Sequence, residues 1–477
     1  LNYSLTMCNV EGPPPKKPRI GKLFDDQPIP IYLDHNATTP PCEEAWTAMK
    51  ACETLGWGNP SSAHAFGCEA KFVVERSRQS VATALGAATA AEILFTSGGT
   101  ESNNLAIVGC AMAVRRRHPE RDMIVSTNFE HPAVDEVLKF LSVTPYITEP
   151  GTITTSTSSP HSDDPSHERH ATTPSGFTIQ RHASQAKALP PFDILRCNVN
   201  RTSGVLDIDT FRAAIAQFRH RIALVTVMHA NNELGTIQPV ALLSRIVKEQ
   251  SGGIAVMHTD AAQTIGKIPV NVSELGVDVL SVCSHKFYGP KGVGALYVKT
   301  GTPIERVTFG AGHERGIRPG TESIILGAGL AAALEKAVTQ LESNAMHART
   351  CRDELLKWLT AYLKKRHFEI RFNGDPTSPL PNTLNFAVFH VPTNMYVSSS
   401  RLISSLASKV AFSAGSACHA ADEPGMHVSL PLQSVAVEAE RAVGTLRLTT
   451  GQLSSVDDMR RAAQMIAVAC GQQMPEP

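Results

Sequence analysis

From Ile31 onward, apolar runs of strand length alternate with stretches of helical periodicity. That alternation limits the fold more than any other feature, because strands joined through helices pair parallel and bury both sheet faces. It predicts an α/β protein with a largely parallel sheet. Strands are predicted over 93–96, 123–126, 222–228, 254–258, 277–283 and 294–298. Helical periodicity is clearest over 71–85 and again over 326–363, where a long helix is expected to link a large domain to a smaller C-terminal one. A chain of 477 residues is long enough for both. The pattern lapses over 151–190, which is rich in Ser, Thr, His and Pro and reads as a disordered surface insertion without catalytic role.

Charge and cysteine content narrow the function classes. Lys+Arg and Asp+Glu both total 44, a balance that supports neither nucleic-acid binding nor a polybasic membrane anchor. No stretch approaches the roughly 18 consecutive apolar residues of a membrane span. The ten cysteines contain no C-x-x-C pair, so neither a structural zinc site nor any other metal centre is expected. Such scattered thiols suit a reducing compartment, and a cytoplasmic location is expected. The cluster Lys16, Lys17 and Arg19 in the N-terminal tail leaves a nuclear address open.

Ser284-His285-Lys286-Phe287-Tyr288-Gly289-Pro290 directly follows the apolar run 277–283. The carboxyl end of a strand is where α/β sheets place ligands. An isolated His-Lys pair in a turn is ordinarily a surface lysine; here Asp260, in His258-Thr259-Asp260-Ala261-Ala262-Gln263, ends the preceding strand. Pyridoxal 5′-phosphate (PLP) needs this pair: a lysine to bond its aldehyde and a carboxylate to keep its ring nitrogen protonated. Gln263, one helical turn on, can donate to the ring's phenolic oxygen. Thr96-Ser97-Gly98-Gly99-Thr100-Glu101 runs from a strand through glycines into a helix, a phosphate cradle made of free N–H groups and a hydroxyl. Two glycines alone would as readily make a plain turn.

Taken together, these stretches resemble the class V, fold-type-I PLP enzymes, the cysteine desulfurases and selenocysteine lyases. Further matches are Tyr32-Leu33-Asp34-His35-Asn36-Ala37-Thr38-Thr39-Pro40, Glu130-His131, Asn231-Asn232-Glu233-Leu234-Gly235, Gly312-His313-Glu314-Arg315, Arg318-Pro319-Gly320-Thr321 and Gly415-Ser416-Ala417-Cys418. The resemblance implies a tail over 1–28, a segment 29–45 associated with the smaller domain, a large PLP-binding domain over 46–330, and a C-terminal α/β domain over 331–477. It implies Lys286 as the cofactor lysine and Cys418 as the nucleophile that takes the chalcogen from the substrate. His131 is expected to stack on the ring and handle protons beside the substrate. Asn232 and Gln263 should contact the ring oxygen, Asp260 the ring nitrogen, and Gly99, Thr100, Cys283 and His285 the phosphate. Thr321 should reach the phosphate of a partner subunit, which implies a homodimer. Asn231 and Arg447 should bind the substrate, Arg447 through a bidentate fork on its carboxylate. The thiol of Cys418 needs activation, since its reference pKa of about 8.5 leaves little thiolate at neutral pH.

Three features favour L-selenocysteine over L-cysteine as substrate, with L-alanine as product either way. Cys283 stands where desulfurases usually carry serine, His419 follows the nucleophile where they more often carry threonine, and no long tail follows the last helix. Cysteine desulfurase, with a chalcogen acceptor protein as partner, is the alternative, and a PLP aminotransferase is a third reading that would have no use for Cys418. Gln452 departs from the family, which commonly has arginine after that glycine.

Overall fold

The computed structural model describes residues 29–55, 57–147, 168–172, 178–182, 188–377, 379–414 and 428–474. Its centre is a seven-stranded sheet. In spatial order the strands are Ile93–Thr96, Gly294–Val298, Val279–Cys283, Val256–Asp260, Ile222–Thr226, Met123–Thr127 and Asp193–Cys197. Gly294–Val298 runs antiparallel to both neighbours, and the five strands after it in that order pair parallel. All six remaining strands therefore deliver their carboxyl ends to one edge, and functional side chains collect there.

Residues alternate between the two faces, as the period of a strand demands. Ile93 and Phe95 join a core layer with the helices Ala65–Leu85 and Ile324–Thr339, while Leu94 joins the opposite layer with Gly99–Arg117 and Pro132–Val143. The α/β fold with a large mixed sheet and an additional C-terminal sheet domain is thus as expected. That second sheet joins Phe368–Phe372, Thr383–His390, Met395–Tyr396 and Thr445–Thr449. Its core packs against the helices Leu341–Lys364 and Val456–Gly471. Ile31–Tyr32 pairs parallel with Val410–Ala411, and Leu33 is buried in the same core, so the N-terminal segment is built into this unit.

Two expectations need correcting. The helix predicted over 326–363 is two helices, Ile324–Thr339 and Leu341–Lys364, meeting at 76°. Leu330, Leu334 and Ala337 face the large core, whereas Cys351, Leu355, Leu359 and Leu363 face the small one. A straight helix could not bury both stripes. The segment 151–190 is also not devoid of regular structure: Glu168–Thr172 pairs antiparallel with Thr178–His182, and Ala188–Leu189 with Tyr146–Ile147. Strand pairing satisfies backbone groups even where no apolar periodicity announces it.

The Gly312–Arg315 motif is tied to the glycine turn by charge. Glu314 Oε2 and Oε1 lie 2.6 and 2.9 Å from Arg78 Nη1 and Nη2, and the amide of Phe95 donates to the same carboxylate. Glu101, beside Thr100, pairs with Arg318 at 2.8 Å. Glu314→Ala would leave the Arg78 guanidinium buried without its main counter-charge. It is expected to lower stability by about 3 kcal/mol, read as a drop in the urea midpoint at unchanged slope.

Candidate active site

A cavity of about 460 Å³ opens at the carboxyl edge of the sheet. Gly99, Thr100, His131, Asn232, Asp260, Gln263, Cys283, His285, Lys286 and Arg447 all line it, although they come from segments far apart in the chain.

Its floor is the Asp260–Lys286 pair. Asp260 ends the strand Val256–Asp260, and Lys286 closes the short 3₁₀ turn after the neighbouring parallel strand Val279–Cys283. Asp260 Oδ2 accepts from Asn103 Nδ2 at 2.7 Å, and Oδ1 from the amide of Ala262 at 2.9 Å. Lys286 Nζ donates to the carbonyls of Asn36 and Ala37, each at 2.7 Å.

At the other end, Gly98 has φ 152°, and a side chain there would meet nothing within 4 Å, so the turn faces open space. Gly294 makes this possible: a Cβ on it would lie 2.8 Å from the Gly98 backbone. Helix Gly99–Arg117 starts at this turn with its amides and positive dipole end toward the cavity. His285 shares Nδ1 with the Thr38 hydroxyl at 3.0 Å. Burial, with the positive charges of Lys286 and Lys291, pushes its pKa down to about 4. It is a neutral hydrogen-bonding group here. Cys283 is buried against Gly99, and burial raises its thiol pKa.

His131 caps helix Pro132–Val143, its Nδ1 accepting from the amide of Ala133 at 3.1 Å. The capping reading holds, and an accepting Nδ1 leaves the ring's N–H on Nε2. Beneath it Glu130 is wholly buried, accepting from Thr127 and from the Met228 amide, and burial pushes its pKa up to about 8.

Arg447 is held more tightly than expected. Nη2 is 2.7 Å from Asp34 Oδ1, Nη1 is 3.1 Å from the Asn232 carbonyl, and the buried Nε has no partner. The guanidinium lines the cavity already neutralised by Asp34.

Asn231 and Thr321 do not line the cavity. Asn231 is fully buried beneath it: Nδ2 donates to the Phe129 carbonyl, and Oδ1 accepts from the amides of Glu233 and Leu234. Its side chain holds the turn and is not placed to bind substrate. Thr321 is exposed on the loop after Arg318, outside the lining. Cys418 and His419 lie outside the described residues. Conversely, Asn36, within a quoted motif, and Asn103, two residues past another, were not singled out; their roles come from contacts made across the chain. Gln452 donates its backbone amide to the Tyr288 hydroxyl and does not line the cavity. Among the described residues no cluster of His, Cys, Asp and Glu could hold a metal ion.

The donor set fits PLP. A lysine amine and a buried carboxylate sit at the carboxyl ends of adjacent strands, and a glycine turn with open space fronts a helix N-terminus.

The aminotransferase class-V profile matches residues 31–146 and 186–452. A cysteine desulfurase IscS of Dictyoglomus turgidum is 35% identical over 429 residues, covering 90% of this chain and 91% of that protein. A solved NifS-like protein superposes with a TM-score of 0.71 at 29% identity, covering 92% of this chain and 99% of its own. A structure described as SspA in complex with cysteine superposes with a TM-score of 0.64 at 25% identity, covering 89% and 100%. The cofactor that goes with these relatives, and with this chain, is PLP. Purified protein is expected to be yellow, and Lys286→Ala to abolish that visible band. A variant that kept the band after dialysis, and in which borohydride bleached it while fixing the cofactor covalently to the protein, would place the cofactor on another lysine.

Proposed function

The chain belongs to the aminotransferase class-V family, and from that premise we propose that it is a cysteine desulfurase, converting L-cysteine to L-alanine with transfer of sulfur to Cys418. The observation that carries this reading is the Asp260–Lys286 pair on the cavity floor, facing an arginine suited to a carboxylate. The names of the relatives support cysteine over selenocysteine, as does the cysteine bound in SspA. The preference for selenocysteine read from the sequence rested on Cys283, His419 and the chain's end. Of these only Cys283 has a described position, a buried thiol packed against Gly99 of the glycine turn.

In this reading each residue has a task set by its position. Lys286 carries the cofactor through its amine and, once freed, takes the Cα proton of the substrate. Asp260, fixed by Asn103 and the Ala262 amide, holds the ring nitrogen protonated. The bound cofactor supplies a sink for the electron pair left at Cα. Gly99, Thr100 and His285 hold the phosphate. Arg447 grips the substrate carboxylate, and His131 exchanges a proton beside the substrate sulfur through Nε2. The Cys418 thiolate attacks that sulfur, the S–Cβ bond breaks, and a persulfide forms on Cys418 while Cβ gains a proton and Lys286 returns one to Cα before alanine leaves. An acceptor protein or thiol then takes the sulfur. Thr321, exposed and anchored through Arg318–Glu101, is assigned to the phosphate of a second subunit, so the working form is a homodimer.

Two measurements test this. Alanine release from L-cysteine and from L-selenocysteine is compared under reducing conditions. A kcat/KM for cysteine at least comparable with that for selenocysteine is expected, and a hundredfold preference for selenocysteine would overturn the assignment. Cys418→Ala is expected to retain the yellow band and lose alanine formation from cysteine by at least a hundredfold. Retained activity would mean that sulfur leaves by simple elimination.

A further inference from the structure

Behind the cavity lies a second lysine that the proposed reaction does not use. Lys267 follows Gln263 by one turn, and although the residue is only half-buried its ammonium is enclosed by protein. Nζ lies 2.7 Å from Gln263 Oε1 and 2.9 Å from Asn36 Oδ1. Gln263 turns its other end, Nε2, toward the Asn36 carbonyl at 3.0 Å, and that same carbonyl accepts from Lys286 Nζ at 2.7 Å. A lysine has donors and no acceptor, so the amide atom facing it has to be the oxygen. The Gln263 amide cannot then reverse, and its remaining N–H is left for the cavity that Gln263 lines.

The arrangement is costly. The charged groups acting on Lys267 are Lys286 and Arg447, both cationic, and His35, which burial keeps neutral with its pKa pushed down to about 4. Burial and these like charges lower the Lys267 pKa well below its usual value. A surface lysine in this turn would avoid the cost, and a methionine of similar length would fill the space without it. What the lysine alone provides is two directed donors to two buried amide oxygens, Gln263 being 5% and Asn36 1% exposed.

We propose that Lys267 is a positioning residue of the cofactor site: it locks the amides of Gln263 and Asn36 so that Gln263 presents N–H to the ring oxygen and the Asn36 carbonyl is set to receive the Lys286 amine. The inference rests on the assignment of Lys286 and Gln263 to the cofactor. Removing Lys267 orphans the Gln263 amide oxygen and leaves Asn36 Oδ1 with Asn382 Nδ2 as its donor, freeing Gln263 to turn an acceptor toward an oxygen that needs a donor.

The test uses the full-length holoenzyme and reads the pH titration of the lysine-bound visible band, together with the dissociation constant for PLP. Lys267→Met is expected to move the titration midpoint in the same direction as Gln263→Leu and to weaken PLP binding about tenfold. The double variant is expected to go no further than Gln263→Leu alone, since both changes remove one hydrogen bond. Lys267→Arg, which keeps the donors, is expected to restore most of the wild-type midpoint. If Lys267→Met does not fold, Lys267→Leu, which also lacks a donor, carries the same comparison. An unchanged midpoint, or full additivity with Gln263→Leu, would overturn the proposal, because a merely structural lysine acts on stability and not through Gln263. A band that survives Lys286→Ala would instead overturn the cofactor assignment on which it rests, and none of these readings depends on sulfur chemistry.

Discussion

The contact of Asn36 with Lys286 and Gln263 is the joint on which the site depends. The Asn36 carbonyl receives Lys286 Nζ and Gln263 Nε2, both from the large sheet's carboxyl edge. Its amide donates to Thr449 Oγ1, and its side chain reaches Thr383 and Asn382, all in the C-terminal unit. One residue thus touches both layers of the molecule. Ile31–Tyr32 is stitched to Val410–Ala411, so this segment cannot move independently of the second sheet. A relative shift of the two units would be felt first at Lys286.

That joint also explains why a buried polar network is tolerated here. Nearly every polar atom around Asn36 has a partner: Asn232 O, Thr383 Oγ1, Asn382 Nδ2 and Lys267 Nζ all engage its side chain. A network of this kind stabilises only when it is complete, because in a medium of low dielectric an orphaned group costs about as much as several satisfied ones contribute. The same reasoning applies beneath Asp260, where His258 bonds Thr226 through Nδ1 and Ser281 through Nε2. Burial lowers the His258 pKa to about 4, so the ring stays neutral and adds no charge under the carboxylate.

Much of this was legible in the sequence, for a physical reason. Asp260 and Lys286 end adjacent apolar runs, and the period and polarity of those runs place the residues on one sheet edge without knowledge of the rest. The glycine turn Gly98-Gly99 before a helix is equally local. Asn36, Asn103 and Lys267 were not legible as functional, because their roles depend on which residues meet across the chain and an asparagine or lysine in a motif has no local signature of that meeting. Asn231 shows the reverse error: motif membership suggested a ligand contact, whereas its amide is consumed by the turn that positions Asn232. The bend at Gln340 was missed because apolar periodicity reports that a face is buried but not in which core.

The charge pattern of the cavity sets what can enter it. Lys286, Lys291 and Arg447 line it, with Lys267 behind, against Asp260 on the floor, Glu101 paired to Arg318 and Asp34 paired to Arg447. Lys291 stands near the phosphate end, beside His285, whose pKa its charge depresses. Cations gathered in a recess of low-dielectric walls attract anions strongly and repel free amines until a partner neutralises them. In the proposed reading a phosphate-bearing cofactor discharges one end of this excess, and a substrate carboxylate the other. The order of filling follows from the same accounting: with the phosphate in place, the remaining cations sit around Lys286 and Arg447. In the same reading an amino acid then brings its own negative charge to the guanidinium, alongside the one Asp34 already supplies. Asp34 therefore weakens the pull of Arg447 on any single carboxylate while holding the guanidinium in register, so grip at this end depends on geometry more than on net charge, and small anions lacking the amino acid's shape gain little there.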